Sequence, residues 1–167
     1  APGTVIGIRN DVDDHDPGQY DPNRNKGREC GNGVLLDHGG GWRTQYCHLR
    51  KGSVSVRKGA QVSRKAVLGI MGLSGKTEFP HLHFSVKYKS KVIDPFLGVG
   101  AKAGCGVKGK PLWDPSLLPS LTYRPSGVLS SGFTDKVPTI KQVVGGQHRH
   151  KSLSRNAPNL LFWVMIF

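Results

Sequence analysis

The sequence predicts a mainly β protein: antiparallel strands folded into a small barrel-like or sandwich-like core, with a loop-rich C-terminal extension. Three observations predict it. The 23 glycines stand as punctuation between short apolar runs and form no repeat, which suits a fold with many tight turns. The runs are rich in valine and isoleucine, whose branched side chains fit a pleated surface. Several of them alternate with polar residues, the period of a half-buried strand. A chain of 167 residues is long enough for one such domain, or one with part of a second.

Gly3 to Arg9 reads as a strand carrying Val5 and Ile6. From Asn10 to Glu29 the chain turns polar: Asp11, Asp13, Asp14, Asp16 and Asp21 precede Arg24, Lys26 and Arg28, and no apolar period runs through them. The stretch reads as a solvated rim loop that includes His15, because its acids lack the spacing of an EF-hand calcium loop. Gly33 to His38 and Trp42 to Leu49, separated by Gly39-Gly40-Gly41, read as a β-hairpin. Folding it back brings Cys30 near Cys47, so a cross-strand disulfide is within reach. Two reduced, half-buried thiols are the other reading. By the period of two, Thr44, Tyr46 and His48 share a face, with His48 coming off a strand end and His38 structural at the opposite edge.

Residues Ser53 to Ser74 set Val54, Val56, Val62, Val67, Leu68, Ile70 and Met71 among glycines, and read as short strands joined by tight turns. Gly69 to Gly75 has the look of a phosphate-binding glycine loop, but no strand-to-helix unit with a Lys-Ser/Thr end follows it. Phe79-Pro80-His81-Leu82-His83-Phe84 is the stretch around which the rest is arranged. In a strand, His81 and His83 project together from one face while Leu82 and Phe84 pack behind. Two imidazoles on one face can serve a metal and its substrate. That strand runs through Val86 and Tyr88 to a turn at Lys89-Ser90, and the unit ends at Val92 to Phe96, where Pro95 cannot extend a central strand.

Beyond Leu97 the texture changes to glycines and lysines. The organisation expected is a core over 1–97, a connection over 98–135 and the start of an accessory β domain over 136–167. Leu112, Trp113, Leu117, Leu118, Leu121 and Tyr123 either cover the core or begin the next domain. His148 and His150 form a second His-x-His in a polar, cationic stretch without apolar backing, and read as loop. The closing run from Leu160 to Phe167 is far shorter than the roughly 20 apolar residues that span a bilayer, so no membrane span is expected.

The 24 Lys and Arg against 11 Asp and Glu give a formal charge of +13, which favours polyanionic partners such as bacterial wall polymers. No nucleic-acid-binding motif accompanies the charge, and nucleic acid is not expected as a partner.

Taken in order, Gly31-Asn32-Gly33-Val34, His38, Thr44-Gln45-Tyr46-Cys47-His48-Leu49, Leu68-Gly69, Ser74-Gly75, Pro80-His81-Leu82-His83-Phe84 and Asp94-Pro95 resemble the LytM/lysostaphin-type zinc metallopeptidases. The likeness covers residues 1 to about 97 and rests on several spaced motifs. It implies an antiparallel β-fold with a groove, zinc as cofactor, and hydrolysis of peptide bonds in peptidoglycan stems or cross-bridges. It further implies that His83 ligates zinc, and that His81 and His48 flank the metal-bound water and the polarised carbonyl. The Cys-Gly-Asn-Gly and Tyr-Cys-His-Leu forms look most like a secreted or periplasmic bacterial branch. One departure stands out: the family's other two ligands come from a His-x-x-x-Asp motif, and no histidine here has an aspartate four residues on. Two expectations compete. The chain is an internal fragment, with Cys105 once bonded to a cysteine before Ala1, or it is a non-catalytic form that binds wall or regulates a partner hydrolase.

Overall fold

The computed structural model describes residues 1–16, 23, 25–101, 109–121, 126–147 and 152–166. Cys105, His148, His150 and Tyr123, which figured in the sequence reading, lie outside these residues. The described residues form two units, Ala1–Asp14 with Asp21–Thr122, and His15–Tyr20 with Tyr123–Phe167.

The first unit is an open six-stranded antiparallel sheet. Its strands are β1 (Gly3–Arg9), β2 (Asn32–Gly39), β3 (Trp42–Leu49), β4 (Gln61–Val62), β5 (His83–Tyr88) and β6 (Lys91–Ile93), in the order β4-β1-β2-β3-β5-β6. The mainly β expectation holds, and the sheet does not close into a barrel. Val5, Val34, Leu36, Leu49 and Val62 make the buried core on one face, with Val54, Val56 and Leu68 packed against them. Both short hairpin turns are accounted for by backbone chemistry. Gly39, Gly40 and Gly41 all have positive φ, and at the β5–β6 turn Lys89 and Ser90 have φ 46° and 68°, the left-handed pair that matches the twist of the flanking strands.

Bulges set which residues face which way. Val34 pairs with Tyr46 and Asn32 with Leu49, so Gly33 alone opposes Cys47 and His48. In β1, Val5 pairs with Leu36 but Gly7 with Leu35, which makes Ile6 an extra residue. An inserted residue reverses the alternation beyond it. Thus Val5 points into the core, while Gly7 and Arg9 share the opposite face with Leu35 and Gly33.

Cys30 and Cys47 form a disulfide spanning 17 residues, a closure of the size that stabilises by about 3 kcal/mol in the chain-entropy account. Gly33 lies beneath it, where a Cβ would come within 2.9 Å of Cys30 Sγ and 2.4 Å of the Tyr46 carbonyl. Of the two placements left open for the later apolar residues, Trp113 takes the first. Its ring lies 5.9 Å from Phe84 and 5.7 Å from Phe96.

Three sequence expectations are corrected. Residues 53–74 are mostly irregular rather than a series of strands, with β4 the one named strand among them. Their backbone is held by loop bonds such as Ser55 N to Leu68 O (3.0 Å), and Val67, Ile70 and Met71 are exposed. Leu82 does not pack behind the histidines: β5 begins only at His83, so strand alternation does not reach back to Leu82, which is 47% exposed. The 10–29 stretch is not simply solvated. Asp11, Asp13 and Asp16 are exposed, but Val12 and His15 are buried, and Asp14 accepts from the amides of Lys51 and Leu73.

The second unit pairs β7 (Val128–Thr134) with β8 (Leu161–Ile166), and a short helix α1 (Ile140–Val144) is capped by Thr139. Trp163 and Thr134 are buried residues of this strand pair.

Candidate metal centre

The polar face of the first sheet ends in three imidazoles brought from two places in the chain. His83 opens β5 and pairs with Cys47 across the ladder, so both face the same way. His48 joins them through the β3 bulge. Strict alternation would have set it beside Tyr46, as the sequence reading had it; the extra residue puts it instead into the recess that Gln45, Cys47 and His83 line. His81 comes from the loop before β5.

Their ring centroids stand 4.8 Å apart for His48 and His81 and 5.8 Å for His48 and His83. One nitrogen from each lies within 4.8 Å of the others.

His48 adopts φ 62°, a left-handed conformation that costs a non-glycine residue about 1–2 kcal/mol. Its surroundings hold it there. Its amide donates to Cys30 O (2.9 Å), its carbonyl accepts from Gly72 N (2.8 Å), and its ring Nδ1 lies 2.9 Å from Ser74 O. A carbonyl can only accept, so Nδ1 carries the proton and Nε2 the lone pair. The glycine-rich loop 69–75 is therefore a cradle for His48.

His81 is oriented in the same way. Its Nδ1–H donates to Phe79 O (2.9 Å), and Thr77 Oγ1 lies 3.1 Å from Nδ1 while donating to the same carbonyl at 2.7 Å. Imidazoles that spend one N–H on a carbonyl are the usual form of metal-binding and proton-transferring histidines. Residues of these kinds fit zinc, which takes neutral imidazole nitrogen as ligand.

Below this centre the polar groups are fully bonded. Asn32, fully buried, accepts from Val12 N (2.8 Å) and donates to Val12 O (2.7 Å) and Leu49 O (3.1 Å). Ser74 Oγ accepts from Asn32 N (2.9 Å) and donates to Leu49 O (2.6 Å). Asn32, Ser74 and Thr77 were not singled out from the sequence as supports of the site. Their partners are main-chain groups, which leave no mark on residue pattern. His38 is structural as read, its ring nitrogens 2.7 Å from Pro2 O and 2.8 Å from Thr44 Oγ1.

The rim of the recess is charged. Glu29 sits below the usual carboxylate range because it accepts from the Gly27 amide and its own, with Lys76 and Arg9 adding attraction.

The antiparallel sheet thus brings together three imidazoles, two of them oriented by carbonyls, at a spacing that could hold a metal ion. Residues 19–95 match the family model described as peptidase family M23. The chain is 40% identical over 73 residues to the cell division protein DipM of Caulobacter vibrioides, covering 40% of this chain and 12% of that protein. It is 36% identical over 65 residues to the peptidoglycan DD-endopeptidase ShyA of Vibrio cholerae, covering 39% and 15% respectively. The chain thus spans only a small part of the curated relatives it matches. Among solved structures, a zinc containing peptidase from Vibrio cholerae is 28% identical with a TM-score of 0.42, over 56% of this chain and 24% of that one.

Proposed function

We propose that this chain carries a zinc metalloendopeptidase centre that hydrolyses peptide bonds of bacterial peptidoglycan in the cell envelope, outside the cytoplasm. The observation that carries the reading is the convergence of His48, His81 and His83, with Nδ1 of the first two already committed to carbonyls. His83 is the metal ligand, and His48 and His81 are the catalytic pair. The relatives' printed activities and the disulfide, which belongs to oxidising compartments, support the substrate and the location. The basic surface suits anionic wall polymers as additional partners.

His83 would contribute a ligand to the zinc, which would supply a Lewis acid and a water acidified towards neutral pH. The protein's own part is proton handling and positioning. Nε2 of His81, lone pair outward, takes a proton from an attacking water and returns it to the leaving amine. His48 is buried, with its ring fixed by Ser74 O; once its Nε2 has taken up a proton, that N–H donates to the oxygen of the reacting carbonyl and steadies the charge developing there.

A second reading is favoured by the spacing of His48, His81 and His83, one nitrogen of each lying within 4.8 Å of the others. All three imidazoles then act as ligands, and the domain binds wall or regulates a partner hydrolase without cleaving. Zinc content and peptidoglycan cleavage measured on single alanine variants separate the two. On the enzyme reading His83→Ala loses zinc, whereas His81→Ala keeps it and turns over roughly 10²–10⁴-fold more slowly. Equal zinc loss in all three variants, with no cleavage by the parent, establishes the binding module instead.

A further inference from the structure

The sheet face that carries the imidazoles continues away from them as a second recess, and its far end is cationic. Recesses of about 280 Å³ at the histidines and about 300 Å³ beside them share Glu29, Cys30 and Gln45 as a common wall. The second is floored by Gly7, Gly33 and Leu35 and flanked by Arg9 and Arg28. Register explains the alignment. Arg9 pairs with Gly33, Gly33 opposes the Cys47–His48 bulge, and Cys47 pairs with His83. One row therefore crosses β1, β2, β3 and β5, with a guanidinium at one end and an imidazole at the other. Three inter-strand steps of about 4.8 Å make this row roughly 14 Å long, the reach of about four residues of extended peptide.

The glycine at position 33 keeps the row open. It is where the disulfide and the Tyr46 carbonyl leave no room for a Cβ.

Arg9 and Arg28 are not consumed by the fold. Among the described residues neither is in an ion pair with a carboxylate. Arg9 makes a long contact of 3.5 Å from Nη1 to Gly31 O. Glu29, at the shared wall, accepts from the Gly27 amide (2.9 Å), and Lys76 adds a further positive charge there. The recess is left with a net excess of cations, and a guanidinium fork matches a carboxylate bidentately.

We propose that Arg9 and Arg28 form a carboxylate-binding subsite that anchors an acidic peptide along this row, about four residues from the metal-side imidazole. The anchor rests on the peptidase reading for the chemistry at the imidazole end, but not for binding itself. An acidic side chain or free C-terminal carboxylate seated at Arg9 sets the register in which the peptide crosses the histidines. A neutral peptide of the same length lacks that register.

The test is equilibrium binding to the intact chain of a labelled, C-terminally amidated pentapeptide containing one glutamate, and of its glutamine counterpart, by fluorescence anisotropy, with hydrolysis of both followed in parallel. The expected result is about tenfold tighter binding of the glutamate peptide. Arg9→Gln and Arg28→Gln should remove that preference without weakening the glutamine peptide, while Arg9→Lys restores part of it. A thermal melt checks that the variants are folded. Equal binding of the two peptides, absence of binding to either, or an equal loss for both peptides in the Arg9 variant overturns the subsite. Carboxylate-dependent binding without hydrolysis upholds the subsite and counts against the peptidase reading alone.

Discussion

His81 reaches its orientation through Thr77, a residue 3% exposed whose hydroxyl touches both the Phe79 carbonyl and the imidazole. Thr77→Val keeps shape and burial but deletes the hydroxyl. Turnover should fall roughly 10–100-fold, the usual cost of removing a group that orients a functional imidazole. Zinc content should not change. Unchanged turnover would make Thr77 a packing residue. The same scale shows what was legible. His81 and His83 could be read from a two-residue spacing alone, and His48 from its place in Tyr-Cys-His-Leu. The face His48 occupies could not be read, because alternation assumes a regular ladder and the bulge opposite Gly33 breaks it. Likewise, nothing in Asn32 or Ser74 announces that their partners are the main chain of Val12 and Leu49.

The β2–β3 hairpin was legible as an element because both of its local signals agree: alternating side chains and three glycines at the turn. The 53–74 stretch misled because valines spaced by glycines look like strands wherever they occur. Whether they pair depends on a neighbouring edge, and β1 offers only Gly3 and Thr4 to Val62 and Gln61. Within the hairpin, Asp37 accepts from the Gly39 amide (2.8 Å) and from Arg43 Nε (3.1 Å), and both contacts hold its carboxyl below the ordinary value of 3.8. A carboxyl lowered in the folded state contributes stability above its unfolded value and loses it as pH falls through the folded one. The contribution is therefore complete at neutral pH and disappears below roughly pH 4. Asp37→Asn should lower the denaturation midpoint at neutral pH and flatten the acid limb of the stability curve. If the limb keeps its slope in urea titrations at several pH values, Asp37 is not a source of acid sensitivity.

At the scale of the whole chain, the sheet's core and all three imidazoles belong to one unit, and the β7–β8 pair belongs to another with its own buried Trp163 and Thr134. The sequence marked a change of texture after Leu97, where glycines and lysines replace alternating runs. It did not show that the first unit runs on to Thr122, because Trp113 joins through aromatic contacts with Phe84 and Phe96, far from it in sequence. Packing of this kind has no period to read. Charge is divided as well: six of the 24 Lys and Arg and one of the 11 acids lie beyond Leu121. A chain ending at Leu121 should therefore keep the site and lose part of the polyanion attraction. Its zinc stoichiometry and thermal midpoint should match the parent's, while its retention on an anionic wall preparation should fall and depend less steeply on salt. Loss of zinc or of the folding transition in the trimmed chain would show that the first unit needs the second to stand. Equal retention at every salt concentration would place the wall-binding charge on the sheet unit, with Arg9, Arg28 and Lys76 the first residues to test.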